Sequence, residues 1–317
     1  MTRYLSRRLA QSIPLLFGIT LASFVLLKLA PGGPQSIYME SGSSSRADVA
    51  QIRAQLGLDE PVPIQYVRWL GNLVRGDWGN SFVTYEPVAA RIWQRLPTTL
   101  ALMSVAFVVM LLIAIPLGVL SAVRQYSWVD YLVNSLAFVG QSAPPFWFGL
   151  LAILLFSVQL GWLPTSGAGT VGLDFDVVDR LRYLVLPAGV LAFVFAGGYT
   201  RYIRAAMLEV LHREYIRTAR AKGLTEKAVI VRHAFKNAAQ PLVTLLAIDL
   251  PELFTGAVVV ETIFAWPGMG RLYLESVSRL DYPVLMAILT ISAALIILGN
   301  MIADVAYAYL DPRIRYR

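Results

Sequence analysis

Asp249 and Glu252 stand where an apolar chain rarely tolerates charge, as the two acids of the run LLAIDLPELFTGAVVV. Three residues apart, they share one face of a helix, with Gly256 a turn further on. A carboxylate at bilayer depth costs about 2.5–3.5 kcal/mol on insertion scales, so it faces a bundle interior or water. Pro251 between them frees a backbone carbonyl. Two chemistries fit. Either the acids pair with a basic residue of another chain, or they line a water-filled cavity and meet a cationic group there.

Charge of the opposite sign gathers in EVLHREYIRTARAKGLTEKAVIVRHAFKN, residues 209–237, between two hydrophobic runs. Arg213, Arg217, Arg220, Lys222, Lys227, Arg232 and Lys236 lie within it, and Arg201 and Arg204 just before it. Apolar residues recur at helical spacing, as in Tyr215 and Ala219 and then Ala228, Val229 and Val231. Gly223 interrupts the pattern, where a residue free to take positive φ joins two short helices cheaply. Thr225 caps the second helix and Glu226 suits its first turn. The segment therefore reads as a helix–turn–helix elbow projecting from a membrane. Its bland alternative is a solvated basic loop held near anionic lipid.

Reactive chemistry has little to work with. The chain has no Cys, which removes disulfides and thiolate metal sites. Its two histidines, His212 and His233, both fall in the elbow and form no HExxH pattern. No GxxxxGK[ST] loop is present to cradle a phosphate. Paired intramembrane aspartates would have to be Asp249 and Asp304, and neither sits in a protease-like motif. No metal ligand set and no catalytic residue is assigned.

The elements that must position these charges are membrane spans. Of 317 residues, 57% are hydrophobic and 15% charged, and the mean hydropathy is +0.60; a soluble domain carries more charge. Six apolar runs reach the roughly 20 residues a span needs: Leu9–Ala30, Leu100–Val123, Tyr131–Leu160, Tyr183–Ile203, Pro241–Phe264 and Pro283–Tyr307. The first exceeds a signal-peptide core and lacks a convincing cleavage site, so it reads as an uncleaved span. With the N-terminus in the cytoplasm, sixteen lysines and arginines fall on the inner side and ten on the outer. That bias places both termini and the elbow in the cytoplasm. The net charge of +7 follows these membrane borders and does not point to nucleic acid.

Pro31 to Arg95 is then an outer segment, too long for a structureless connection. PGGPQ breaks the first span, SGSSSR at 41–46 reads as flexible, and Ala47–Leu56 and Ile64–Val74 show helical spacing around the turn GLDEPVP. GDWGNSF and RIWQRLPTTL complete it. Trp69, Trp78 and Trp93 suit a membrane interface. In the third span, SAPPFWFG must kink or break at Pro144–Pro145, because neither ring nitrogen donates a hydrogen bond. Such interruptions sit against protein or a cavity, so either a packing kink or a pathway lining is open.

EYIRTARAKGL, followed by RHAFKNA and Pro241, resembles the EAA loop of ABC-importer permeases in the form of the oligopeptide/dipeptide/nickel branch. Gly223 falls on that motif's glycine and Ala219 on its second alanine. Arg217 stands where the general motif has Glu, and Lys236 where many relatives have Pro; both departures are typical of the peptide branch. QLGLDEP, QYVRWLGNLVRGDWGNS and QRLPTTL resemble the outer loop of the first, B-type permease. ETIFAWPGMGRLYLESVSRLDYPVL and GNMIADVAYAYLDPRIRY resemble the family's C-terminal third, so the likeness covers the whole chain.

The resemblance implies an all-α polytopic protein with six transmembrane helices, the type I importer permease fold, and a long extracytoplasmic loop after the first helix. Residues 1–30 form the cytoplasmic N-terminus and first span, 31–95 the outer subdomain, and 96–317 a five-span core with the coupling loop at 209–237. The coupling contact with an ATPase is implied for Glu214, Tyr215, Arg217, Thr218, Ala219, Arg220, Ala221, Gly223 and Leu224. Asp249, Glu252, Pro144 and Pro145 become candidates for the cavity, and Trp69, Asp77 and Trp78 for docking an extracytoplasmic binding protein. The implied partners are a second, homologous permease subunit in a heterodimer, one or two ATPase subunits that carry ATP and Mg, the binding protein and the bilayer of a bacterial inner membrane. The implied cargo is di- or oligopeptides, with nickel or another small solute as the alternative. A channel or an intramembrane enzyme is the reading of a different class, and neither needs a basic helix pair.

Overall fold

The computed structural model describes residues 2–29, 59–249 and 258–310. The PGGPQ break, the flexible stretch at 41–46, the Ala47–Leu56 helix, the triad Pro251, Glu252 and Gly256, and the DPRIR tail lie outside the described residues, as does the side chain of Asp304.

Apolar runs become long helices: α1 (Thr2–Leu29), α3 (Val88–Val123), α6 (Val177–Leu211) and α12 (Tyr282–Leu310). Four helices among the described residues are long and apolar enough to cross a bilayer, and a bent pair makes up to five. Of the fifth expected span, Pro241–Phe264, the described parts fall in α9 (Lys236–Asp249) and α10 (Val258–Ile263). Between these spans run α2 (Val62–Val74) and α11 (Met269–Ser278).

The bent pair is the third span. α4 (Trp128–Ser142) stops before the two prolines, and α5 (Pro145–Ala152) continues through a π-helical stretch, Ile153–Gln159, at 105° to it. Each proline pushes the residue before it out of the helical region. Ala143 and Pro144 are accordingly extended, at ψ 142° and 136°. Pro145 then opens α5, where a missing N–H costs nothing. By contrast the single prolines Pro97, Pro116 and Pro187 stay inside continuous helices. One proline leaves a span continuous; two in succession break it.

α3 and α6 run along each other as the centre of the bundle, and α4 packs across α6. A Cβ on Gly197 of α6 would lie 2.3 Å from the Ala137 carbonyl oxygen of α4. Only glycine lets two membrane helices approach that closely. α1 packs on α12 and otherwise presents Leu9, Ile13, Leu15 and Leu26 outward, as a lipid-facing helix does.

Two buried carboxylates tie distant segments together at the end of the bundle away from residues 209–237. Asp281, just before α12, accepts from Ser81 Oγ and from the Phe82 amide at 3.0 Å. This holds the 76–87 turn against the last helix. Glu261 in α10 accepts from Thr99 Oγ1 at 2.7 Å and from the Arg271 amide at 3.0 Å. Thr99 Oγ1 in turn accepts from the Met269 amide at 2.7 Å. One acid thereby fixes α3, α10 and the Pro267–Gly270 turn.

Candidate functional site

The elbow begins where α6 ends at Leu211. α7 (Glu214–Ala221) follows, and Gly223 takes φ +76°, the left-handed conformation its position in the sequence implies. Thr225 Oγ1 accepts from the Ala228 amide at 3.4 Å, capping α8 (Glu226–Ala228) as expected. The second helix is not short. α8 passes through a π-helical stretch, Val229–Phe235, and continues into α9 without a break. The elbow is therefore one separate helix followed by the start of the next span.

Which residues face inward differs from the simple periodic reading. Ile216 is fully buried, whereas Tyr215 is 43% and Val231 58% exposed. α7 turns Ile216 and Ala219, three apart, toward the bundle. In the following π stretch hydrogen bonds run from residue i to i+5 and the turn is wider than in an α-helix, and Val229 and Ala234 are buried in place of Val231. These four residues join Met110, Ala196, Ile203 and Met207 of α3 and α6 in a single apolar core. The elbow is thus packed into the spans.

Its outer face is charged. Arg217 bonds Glu214 at 3.0 Å, and Arg220 spans Gly223 to grip both oxygens of Glu226, at 2.6 and 3.2 Å. That hydrogen bonding holds the Glu226 carboxyl below its ordinary range, so the bridge is present at neutral pH and is lost only as acid titrates through the lowered value. Thr218, Ala221, Lys222, Leu224, Lys227 and Arg232 are exposed around it. The surface offers apolar Tyr215 and Leu224 inside a cationic rim.

Four elements converge on a node that the sequence reading missed. Asp130 of α4 is 3% exposed and receives a bidentate guanidinium from Arg204 of α6, with both bonds at 2.7 Å. Ser121 Oγ of α3 also donates to it, as do the Tyr126 amide at 3.0 Å and Asn134 Nδ2 at 2.7 Å. Its one advance signal was an aspartate at the first turn of an apolar run, three residues after the capping Ser127.

Asp249 accepts from Tyr199 Oη at 2.5 Å, a partner within the chain. Beside it lies a cavity of about 20 Å³ lined by Met103, Ala106, Phe107, Met110, Phe195 and Tyr199. That volume suits one water. Pro144 and Pro145 sit at the break of the third span, and no described contact joins them to Asp249. Trp69 is half-buried against Phe24 and Tyr66, and Trp78 against Val88, Ile92 and Met269. Asp77 is exposed and accepts from the Gly79 amide at 3.0 Å. Both tryptophans spend part of their rings on internal packing and offer a partner only the remainder.

Comparison with known proteins gives matches along nearly the whole chain. Residues 114–316 match the family described as binding-protein-dependent transport system inner membrane component, and residues 1–103 match the N-terminal model of such components. The oligopeptide transport system permease protein AppB of Bacillus subtilis is 48% identical over 317 residues, with 100% of both chains covered. The dipeptide transport system permease protein DppB of Alkalihalophilus pseudofirmus is 37% identical over 334 residues, again with 100% of both covered. In solved structures, a chain of the inward-facing MetNI methionine ABC transporter superposes with a TM-score of 0.57 at 19% identity, covering 70% of this chain and 96% of that one. A chain of an amino acid ABC transporter gives 0.53 at 15% identity, covering 70% and 94%. These structural likenesses carry the fold alone.

Proposed function

This chain belongs to the family of binding-protein-dependent transport system inner membrane components, and from that premise we propose that it is a permease subunit of an ATP-driven peptide importer. It pairs with a second permease, takes cargo from an extracytoplasmic binding protein, and relies on separate ATPase subunits for hydrolysis. The observation that carries this reading is the two-sided elbow. Its exposed face suits a groove on another protein, while Ile216, Ala219, Val229 and Ala234 lock it into the spans' core. A force on the elbow therefore moves helices, which is what alternating access between two packed states requires. Full-length similarity to oligopeptide and dipeptide permeases supports peptides as the cargo.

Reconstitution tests the assignment. Vesicles holding the complete complex should accumulate labelled peptide only with ATP and binding protein. Nickel uptake without peptide uptake would select the small-solute alternative, and flux without ATP would select a channel.

Orientation has its own test, made clean by the absence of cysteine. A cysteine at Asp77 should react with an impermeant maleimide in intact cells, and one at Lys222 only after permeabilisation. The reverse pattern would invert the topology and place the elbow outside.

Asp249 is proposed to line the pathway, together with Glu252, once the cavity opens. Asp249→Asn keeps an acceptor for Tyr199 but removes the charge. The loss of a charge-assisted bond of about 1.5–3 kcal/mol should lower uptake of peptides with a free N-terminus by about tenfold relative to N-acetylated ones, with the complex still assembled. Assembly lost in step with uptake would instead assign Asp249 to a buried contact between subunits.

A further inference from the structure

Where the third span changes direction, its two halves are held in different ways. α4 packs on α6 up to Gly140, where a Cβ would come within 3.0 Å of the Phe193 carbonyl oxygen. Beyond the break, Gly149 of α5 sits against Ile263 and Phe264, next to the turn that Glu261 fastens. Both halves touch the elbow-bearing helix, but α5 does so through apolar contacts such as Phe148 on Phe193, whereas α4 is also bonded to it by an ion pair.

The join on the elbow side adds a two-pronged ion pair to apolar, glycine-lined helix packing. A bidentate guanidinium–carboxylate pair is planar and directional. It fixes how α4 is rotated against α6, where apolar surfaces alone permit sliding. Burying such a pair in place of apolar side chains generally gains little stability, and fixing a unique arrangement is its best-attested use. The hydrogen-bond donors from Ser121, Tyr126 and Asn134 complete the shell of Asp130 and tie α3 and the 124–127 connection to the same point. Arg204 lies one turn before Met207, which is buried in the core shared with Ile216 and Ala219. The node therefore stands directly between the elbow and the third span.

We propose that Asp130 and Arg204 are positioning residues for energy coupling. They make α4, α6 and the elbow one lever, and Ser142–Pro145 is the hinge at which that lever moves relative to α5. A pull on the elbow then turns α4 together with α6, while the apolar contact of α5 on α6 permits sliding at the break. This rests on the reading of the elbow as the ATPase contact.

The test uses the intact complex in lipid nanodiscs and proteoliposomes. Spin labels on cysteines at Leu132 and Val231, both exposed, report the distance between α4 and the elbow with and without vanadate-trapped nucleotide. The native distance should be the same in both states. Arg204→Lys keeps the charge but loses the fork. Its complex should assemble and hydrolyse ATP, transport about tenfold less peptide per ATP, and show a 132–231 distance that differs between states. Asp130→Glu should restore part of the coupling that Asp130→Asn loses. Native coupling and an unchanged distance in Arg204→Lys would overturn the lever, as would a native 132–231 distance that shifts with nucleotide. If Asp130→Asn does not assemble, Arg204→Lys and Asp130→Glu decide the matter alone. Cross-linking from a cysteine at Lys222 to the ATPase separates the two failures. If that cross-link is absent from the native complex, the elbow reading falls and the lever with it; if it forms while Arg204→Lys couples normally, only the lever falls.

Discussion

Replacing Gly223 by valine is expected to abolish peptide uptake while leaving the chain inserted in the membrane. The reason is conformational. At φ +76° a β-branched residue is strained, at about 1–2 kcal/mol for the left-handed region. Nothing lies within 4 Å of the position a Cβ would take, so the penalty is in the backbone and crowding adds none. To relieve it, α7 must turn relative to α8, and the Arg220–Glu226 bridge that spans the glycine must open. The exposed face bearing Tyr215 and Leu224 would then no longer match a preformed groove. Uptake and co-purification of the ATPase should fall together. Gly223→Asn, which tolerates positive φ, should retain much of both. Full uptake by the valine variant would refute the coupling role of the elbow.

Gly268→Ala should act on the fold itself. A Cβ there would lie 2.3–2.4 Å from the carboxyl atoms of Glu261. That carboxylate has nowhere to retreat: it is fully buried and holds Thr99 and the Arg271 amide. Overpacking alone costs about 1–3 kcal/mol, and a buried acceptor pulled from its donors about 1–3 kcal/mol more. Against a typical margin of about 5–15 kcal/mol, the sum is large. The detergent-solubilised variant should melt well below the native chain and be recovered in lower yield. Removing the acid as well, with Glu261→Ala, makes room but strands Thr99 and the backbone donors, so the double variant should not return to native stability. An unchanged melting temperature in Gly268→Ala would show that the clamp yields more easily than its geometry implies.

The two glycines differ in how they could be read beforehand. Gly223 is legible because its constraint is local: a basic amphipathic run on each side, a capping Thr225, and a residue between them that must reverse direction. Gly268 falls in an evident turn, but its real constraint is a carboxylate seven residues earlier folded back over it. The break at Pro144–Pro145 was likewise determined by adjacent residues, since each proline acts on its own neighbour.

From sequence alone come the membrane as solvent, the long apolar helices, the broken third span, the position of the elbow and the family. All of these depend on composition, short-range periodicity or a linear motif. Only the tertiary structure decides which charges meet. Asp130 finds Arg204 across 74 residues, Asp281 finds Ser81 across 200, and Tyr199 reaches Asp249 across 50. Local spacing carries no information about such pairs, because each is made by segments that are brought together for apolar reasons and carry the polar groups along. The same holds for orientation on the elbow. Tyr215 and Ile216 are both apolar and adjacent, and it is the packing of α7 on the π-helical stretch after Ala228 that buries one and exposes the other.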